Sequence, residues 1–301
     1  MNERLNRPKG FGEILDLTFS LSKSRFRDFF IISLIFMGPI YLIQALISLA
    51  SGVSFFRELG AGEAWHEKII SSFEGAESTG LGADLGTSLV GITSFFLFPV
   101  ATAAILIVVN RIRKNETYTI GSVIKQAFSR YGPIIGSTIL FSLITIGLII
   151  IPVIILVFSL ISSLATSSTV GIVLGIILFI ALAIGVGYLL TRWSFYLGSA
   201  VLGEGSPGFT RSWRLTRKRG WPLIGLYIIF SLIIGVISFT IELTFGIFLG
   251  SSVLLSMIIS LASIFTTMIF SVGYAVMYLD LKVRHDADDL KEMIDDYNVV
   301  Q

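Results

Sequence analysis

Six long apolar runs alternate with polar segments along this chain of 301 residues. The runs lie near residues 29–50, 86–109, 133–160, 170–192, 222–248 and 252–279. Each run is long enough to supply the roughly 20 helical residues that cross a bilayer. Because hydrocarbon offers no hydrogen-bond partner, backbone amides must bond within their own segment, so the pattern predicts membrane-spanning helices. The short alternating segments that are typical of a β-barrel are not seen in the sequence.

A short amphipathic segment precedes the first, third and fifth runs. Its apolar residues follow the i, i+3, i+4, i+7 spacing of a helix with one buried face. They are Phe11, Ile14, Leu15, Thr18 and Phe19 in the first segment, Ile120, Val123, Ile124, Ala127 and Phe128 in the second, and Phe209, Trp213 and Thr216 in the third. We therefore predict three interfacial helices that lie in the plane of the membrane, all on the same side.

The chain also repeats itself. Arg130–Ile144 (RYGPIIGSTILFSLI) and Arg219–Ile233 (RGWPLIGLYIIFSLI) match at an offset of 89 residues. Together with the amphipathic segments, this match predicts three internal repeats, each made of a short helix and a two-span hairpin. The predicted fold class is an all-α polytopic membrane protein, with one membrane domain over residues 1–285. Such repeats are common in transporters and in membrane scaffolds, so they do not separate these two functions.

The composition excludes a soluble globular domain. Apolar residues make up 54% of the chain and charged residues 14%, against about 25% charged residues in soluble proteins. The absence of cysteine excludes disulfides, thiolate metal sites and cysteine nucleophiles. The first run is too long for the apolar part of a signal peptide, so we expect it to remain as an anchor.

The charges of the loops predict the orientation. Loops 110–132 and 203–221 each carry five Lys or Arg residues and one acid, whereas residues 51–85 carry two basic residues and six acids. Basic loops stay in the cytoplasm, which places both termini there. Residues 51–85 are then an acidic outer loop, and residues 286–301 an acidic cytoplasmic tail.

Three motifs carry a resemblance to a known family. FGEILDLTF (11–19), RSWRLTR (211–217) followed by Trp221 and Pro222, and YLDLKVR (278–284) resemble the membrane-domain family named after glycerophosphoryl diester phosphodiesterase. The resemblance spans about residues 8 to 290 and implies a prokaryotic cell membrane protein. Some members carry a catalytic TIM barrel after this domain, but only 21 residues follow Asp280, so no such barrel is expected here.

Charged residues supply the candidate sites. A cluster at the inner face is predicted to clasp the first interfacial helix to the ends of spans four and six, with Arg192 and Asp280 as one testable pair. Its members are Glu13, Asp16, Arg192, Asp280, Lys282 and Arg284. A second set is predicted to contact anionic lipid headgroups: Arg211, Arg214, Arg217, Lys218 and Arg219. Glu242 is an intramembrane acid near the outer end of the fifth span.

Enzymatic motifs are not seen. The chain has no HExxH, GxSxG or Walker A pattern, so we expect no catalytic residues, cofactor or bound metal. The sequence favours a non-enzymatic membrane scaffold or accessory subunit, linked to lipid homeostasis. The alternative is a transporter-like component for a hydrophobic or peptide substrate, favoured by the repeat and by the glycines of the fourth run. The expected partners are the lipid bilayer, anionic headgroups and another membrane protein or an ATPase subunit, but not nucleic acid.

Overall fold

The computed structural model describes residues 5–56, 81–165, 169–250 and 252–299, and these residues form helices joined by short connections, without a strand. The prediction of an all-α polytopic membrane protein is confirmed. The long helices are α2 (Phe26–Ala50), α3 (Leu81–Arg113), α5 (Tyr131–Ala165), α6 (Thr169–Trp193), α9 (Gly220–Leu249) and α10 (Val253–Val299). The short helices are α1 (Phe11–Ser24), α4 (Ile120–Ser129), α7 (Tyr196–Leu202) and α8 (Phe209–Leu215).

Among the described residues, six stretches of helix are long and apolar enough to cross a membrane, which agrees with the number of runs in the sequence. They are Phe26–Ala50, Ser88–Arg113, Tyr131–Ser163, Thr169–Leu202, Gly220–Leu249 and Val253–His285. Most of the predicted loop 51–85 lies outside the described residues, and residues 81–85 belong to α3 rather than to a loop. In the tail, residues 286–299 continue the helix of the sixth span, and α10 is about 70 Å long at 1.5 Å per residue.

A short helix leads into each pair of long helices. The order is α1 before α2 and α3, α4 before α5 and α6, and α8 before α9 and α10. Helix α7 is an addition between the second and third units, and it is buried for most of its length. Contacts among Lys9, Glu204, Asp280 and Lys282 bring the short-helix segments and the distal part of the sixth span to one end of the bundle, which we call the short-helix end.

At the opposite end of the bundle, backbone hydrogen bonds join the segment after α2 to the start of α10. The amides of Val253 and Leu254 donate to the carbonyls of Ser54 and Phe55, each at 3.1 Å. The first amides of a helix have no partner within it, so the loop after α2 satisfies two such groups of α10. This contact joins the first unit to the third at that end.

Helix α3 is the centre of the bundle. It packs against α2, α4, α5, α7 and α10. All of its residues 100–109 are buried, and the alanines at 101, 103 and 104 let neighbouring helices approach closely. Within this core, the hydroxyls of Thr102 and Ser271 lie 3.1 Å apart and join α3 to α10. The core is therefore well packed and lies towards the short-helix end.

The α5–α6 hairpin is much less covered. In the most apolar 18-residue stretch of each of these spans, only 6% is buried within the protein. The corresponding share for the span in α3 is 61%. The two helices pack on each other where Gly175 meets Ser159, since a Cβ at Gly175 would lie 2.2 Å from the serine oxygen. Lipid tails are as apolar as these faces, so their exposure inside a bilayer costs little.

The short helices bury only part of the faces predicted for them. In α4, Val123 and Ala127 are buried as expected. In α1, the buried residues are Ile14, Leu17, Thr18, Leu21 and Ser22, while Phe11 and Phe19 stay partly exposed. The buried face of α1 is thus rotated from the prediction, because this helix packs against α2, α9 and α10 on one side and leaves its aromatic side outward.

Candidate functional site

Asp280 fixes the N-terminal segment to α10. The amide of Lys9 donates to one carboxylate oxygen at 2.7 Å, and Nε of Arg284 donates to the other at 2.8 Å. Arg284 also donates to the carbonyl of Lys9. Asp280 is only 4% exposed. Because both of its carboxylate oxygens accept hydrogen bonds, this burial carries no large desolvation penalty.

The Lys9 side chain is itself buried. Its ammonium donates to the carbonyls of Arg7 at 2.9 Å and Leu5 at 3.3 Å, so the N-terminal backbone wraps around it. Burial lowers the pKa of the Lys9 ammonium below its ordinary value of 10.5, and the neighbouring Asp280 carboxylate opposes this shift. Lys9 therefore shapes the segment that precedes α1 rather than presenting its charge to a ligand.

Glu204 is the second centre of charge at the short-helix end. It lies between α7 and α8, where it accepts hydrogen bonds from the Tyr278 hydroxyl at 2.8 Å and from Lys282. Nε of Arg211 lies 3.4 Å from its carboxylate. Burial alone would raise the pKa of the Glu204 carboxyl, but the bonds from Lys282 and Tyr278 hold it below its ordinary value of 4.5. One carboxylate thus joins α8 and α10.

Glycines allow the backbone to bring Glu204 into this position. Gly203, which ends α7, has a φ of 75°, and Gly208, which starts α8, has a φ of 81°. A Cβ at Gly208 would lie 2.5 Å from the backbone oxygen of Tyr196. The turn between α7 and α8 consequently needs a residue without a side chain at this position.

Arg192, at the end of α6 in the second unit, binds α8 of the third unit. Its guanidinium carbon lies 3.6 Å from the centre of the Trp213 ring, and its Nη2 donates to the Trp213 carbonyl at 2.7 Å. The Ser212 hydroxyl donates to the Arg192 carbonyl at 2.6 Å. These contacts, a cation–π interaction among them, attach α8 to the end of α6.

The six residues of the predicted inner-face cluster are therefore split among separate contacts. Asp280 forms an ion pair with Arg284 and does not pair with Arg192. It is joined to the segment before the first short helix by the backbone amide of Lys9. Lys282 pairs with Glu204, and Glu13 pairs with Arg7 at 2.7 Å. Asp16 lies beside a small cavity that Arg7, Lys9, Glu13 and Leu17 also line.

The five residues predicted to contact anionic lipid also divide. Arg211 points inward, where its side chain is 20% exposed and faces Glu204. Arg214, Arg217 and Lys218 are exposed, and Arg219 is half-buried at the start of α9. Glu242 is exposed on α9, far along the helix from the short-helix end. The structure thus leaves three exposed basic residues for the predicted lipid contact.

Sequence reasoning missed Glu204, Lys9 and the pair formed by Tyr118 and Asp28. The Tyr118 hydroxyl donates to Asp28 at 2.7 Å. Burial is the larger cause and this hydrogen bond the second cause that raise the pKa of Tyr118 to about 12. Glu204 did carry a signal, since it is the one acid within the basic loop 203–221. Lys9 and Tyr118 carried none, because their partners are distant in sequence.

Cavities at this end are small. The best-formed ones among the described residues have volumes of about 30 and 50 Å³ and lie around Lys9 and the start of α1. They can hold a few waters at most, whereas small-molecule pockets span about 300–1,000 Å³. Over the same residues, no three acidic or histidine side chains come close enough together to bind a metal ion. The short-helix end therefore offers a surface of exposed charged and aromatic side chains rather than a pocket.

The chain belongs to a domain family of unknown function, DUF7847, which it matches over residues 33–280. No curated protein and no solved structure matches the chain. The family match covers the six spans except for the first turns of α2 and the end of α10. It assigns no activity.

Proposed function

We propose that this protein is a non-enzymatic integral membrane scaffold or accessory subunit, linked to lipid homeostasis, that packs beside another membrane protein. One observation carries the proposal: the interior is filled at the short-helix end, while one hairpin of the same bundle is almost uncovered. A filled core gives a rigid body, and an uncovered hairpin gives it a surface on which a partner can pack.

Large side chains fill the interior. Phe29, Phe195, Phe230 and Tyr278 are all fully buried. Two of them occupy space left by glycines, since a Cβ at Gly198 would lie 2.3 Å from the Tyr278 ring, and one at Gly273 would lie 2.7 Å from the Phe230 ring. Such close contacts between rings and backbone support a static core.

The α5–α6 hairpin supplies the surface. Residues along both helices expose half or more of their side chains, such as Ile154 at 60% and Ile177 at 58%. Helix α6 also has small residues at Gly185 and Gly187 with open space above them, so another helix can approach its backbone closely. In this proposal the partner is a membrane protein, and an ATPase subunit attached to it is one form the complex can take.

Photo-crosslinking in native membranes tests this function. A photoreactive amino acid is placed at Ile154, at Ile177 or, as a control of equal exposure on another span, at Leu42, which is 57% exposed. We expect the two hairpin positions to give an adduct with the same protein, and Leu42 to give lipid adducts. Lipid adducts alone at all three positions would refute a partner on the hairpin.

The transport function that the sequence also allows requires a water-filled path, and no observation on the described residues favours it. Because the chain has no cysteine, single-cysteine labelling can test for such a path directly. Ala103, which is fully buried in the central helix α3, is replaced by cysteine, with exposed Lys114→Cys as the control. We expect a water-soluble thiol reagent to label position 114 but not 103. Labelling at 103 would favour transport over a scaffold.

The location of the protein is part of the same proposal. We place it in the plasma membrane of a prokaryotic cell, with the short-helix end and both termini in the cytoplasm, because the basic loops lie at that end. The resemblance to the glycerophosphoryl diester phosphodiesterase membrane-domain family supports the link to lipids and remains a proposal as well. Labelling of Lys114→Cys in right-side-out vesicles tests the orientation, because a cytoplasmic thiol stays unlabelled until the membrane is opened.

A further inference from the structure

An arginine stands immediately before the long helix in all three units. In the first two units it also directly follows the short helix, whereas in the third the short helix ends four residues earlier, at Leu215. Arg25 has φ and ψ of −123° and 30°, Arg130 has −106° and 16°, and Arg219 has −126° and 6°. In two units the local sequence also agrees, as Ser24-Arg25-Phe26 and Ser129-Arg130-Tyr131. The first unit therefore shares this junction, although it lacks the proline found in the other two.

Hydrogen bonds confirm that the register is the same. The carbonyl of each junction arginine accepts the amide four residues later, at 3.2 Å from Phe29, 3.0 Å from Ile134 and 3.2 Å from Leu223. Those three residues are buried at 0%, 0% and 3% exposure, so they face the bundle core in each unit. The residues at the start of each span consequently have equivalent orientations.

An aromatic ring lies outward at each junction. Phe26 is 42% exposed, Tyr131 37% and Trp221 65%, and each follows its arginine by one or two residues. Because these rings stand at the first turn of a membrane span, they lie at the depth of the headgroups, where aromatic side chains are enriched. We call Arg25 with Phe26, Arg130 with Tyr131, and Arg219 with Trp221 the three junction sites.

Exposed basic residues surround the junction sites. They are Lys23, Arg25 and Arg27 at the first, Lys125 and Arg130 at the second, and Arg214, Arg217 and Lys218 at the third. Two acids close in sequence are bonded elsewhere, because Asp28 accepts from Tyr118 and Glu204 from Lys282. The surface at headgroup depth is thus positive in all three units.

We infer that the three junction sites bind the phosphates of anionic phospholipids and so hold the three units at one depth in the membrane. An arginine guanidinium can donate two parallel hydrogen bonds to a phosphate, and the neighbouring ring contacts the upper acyl chain. The third site, with the most exposed ring and Arg214, Arg217 and Lys218 beside it, is the strongest. The inference stands apart from the scaffold proposal, since a transporter with this fold would bind lipid in the same way.

Tryptophan fluorescence can report on each site separately. The chain has four tryptophans. Phe26→Trp or Tyr131→Trp is introduced in a background with all four replaced by phenylalanine, and the third reporter is native Trp221 with the other three replaced. A control reporter, Phe248→Trp, lies 72% exposed at the opposite end of α9. Each protein is reconstituted in phosphatidylcholine vesicles that contain brominated phosphatidylglycerol or, in equal amount, brominated phosphatidylcholine.

We expect the brominated anionic lipid to associate with the three junction reporters at least about three-fold more strongly than the neutral one, since a basic residue near an anionic surface favours association by about five-fold. The control reporter should show a ratio of about 1. Equal ratios at the junctions and at position 248 would overturn the inference.

Charge removal locates the effect. The triple variant Arg214→Gln, Arg217→Gln, Lys218→Gln keeps Arg219 and should lower the ratio at Trp221 towards 1. The same three changes in the Phe26→Trp protein should leave its ratio unchanged, which also shows that the variant is folded. Lys114→Gln, an exposed basic residue away from the junctions, should change neither ratio. An unchanged ratio at Trp221 in the triple variant would refute the role of these residues. Competition by millimolar inorganic phosphate would assign the sites to soluble phosphate and overturn the lipid assignment.

Discussion

Replacing Glu204 by alanine should lower the free energy of unfolding by more than the loss of a surface ion pair does. The change removes the acceptor for Tyr278 and Lys282 and the counter-charge for Arg211. These side chains then remain partly buried, with Lys282 21% and Arg211 20% exposed, but without the carboxylate. A half-buried charge that loses its partner must be solvated again or stay unpaired, and either outcome costs free energy.

The expected loss can be worked from the contacts. Hydrogen bonds to a charged group contribute about 1.5–3 kcal/mol each when buried. About a fifth of each side chain reaches solvent, so we reduce the sum of two such bonds and expect Glu204→Ala to lower the free energy of unfolding by about 3 kcal/mol. Glu204→Gln keeps an acceptor for Tyr278 and should cost about half as much. Glu116 pairs with Lys114 at 3.8 Å, and both side chains are about half exposed. Glu116→Ala should therefore lower the free energy of unfolding by less than about 0.5 kcal/mol.

Reversible unfolding in mixed micelles, with increasing mole fraction of a denaturing detergent, measures these differences. The comparison between Glu204→Ala and Glu116→Ala is the decisive one, because both variants remove a glutamate from a loop at the same end. Equal stabilities of these two variants would show that the Glu204 contacts contribute nothing beyond a surface pair, and the reasoning would be refuted.

The same residue predicts a pH dependence with a defined sign. The pKa of Glu204 is lower in the folded protein than its ordinary value of 4.5, so the folded state favours the ionised carboxylate. Its contribution is fully present above pH 4.5 and is lost as the pH falls through the lower, folded-state pKa. The stability difference between the unmodified protein and Glu204→Gln should therefore be constant from neutral pH down to about 5 and shrink below 4.5. A difference that grows on acidification would contradict this linkage.

Two further predictions concern packing and the link between the first two units. Gly198→Ala places a Cβ 2.3 Å from the Tyr278 ring and should lower the free energy of unfolding by about 1–3 kcal/mol, whereas Gly185→Ala, with open space above it, should be neutral or slightly stabilising. Thermal denaturation in detergent checks both, and equal melting temperatures would contradict the packing argument. Tyr118→Phe removes the donor to Asp28 and should cost about 1 kcal/mol in the micelle assay, with loss of the phenol that titrates near pH 12 in the native protein.

The six spans could be predicted because their causes are local. A helix crosses the bilayer when about 20 consecutive residues are apolar, and each helix satisfies its own backbone. The prolines at Pro133 and Pro222 fit the same logic, since each lies in the first turn of its span, where a missing amide leaves no bond unmade. The boundaries differ most where a helix continues well past the apolar run, as α3 does at residues 81–85 and α10 beyond residue 285.

The position of each span in the bundle could not be predicted. The third span has a mean hydropathy of 3.1 and is 6% buried, whereas the second has a mean hydropathy of 2.4 and is 61% buried. Lipid and protein interior are equally apolar, so hydrophobicity does not tell which of them a helix face will meet. Small residues in α3, such as Ala101, Ala103 and Ala104, are a better sign of a central helix.

The charged contacts divide along the same line. From the sequence, Arg192 is the predicted partner of Asp280, but the carboxylate pairs with Arg284, one helical turn further along α10. Lys9 lies 271 residues from Asp280, and Lys282 lies 78 residues from Glu204, so no local pattern could join them. They meet only because the packing of six helices brings the N-terminal segment, the turn before α8 and the end of α10 to one place.

The sequence by itself determined that this chain is an all-α membrane protein of six spans, with a short helix before each hairpin, because bilayer thickness and backbone hydrogen bonding act on each segment separately. The tertiary structure decided which helix is central, which face of α1 is buried, and which carboxylates hold the short-helix end together. It also showed that Arg25, Arg130 and Arg219 occupy one equivalent junction. These features depend on side-chain fit between distant segments, which only the folded chain brings into contact.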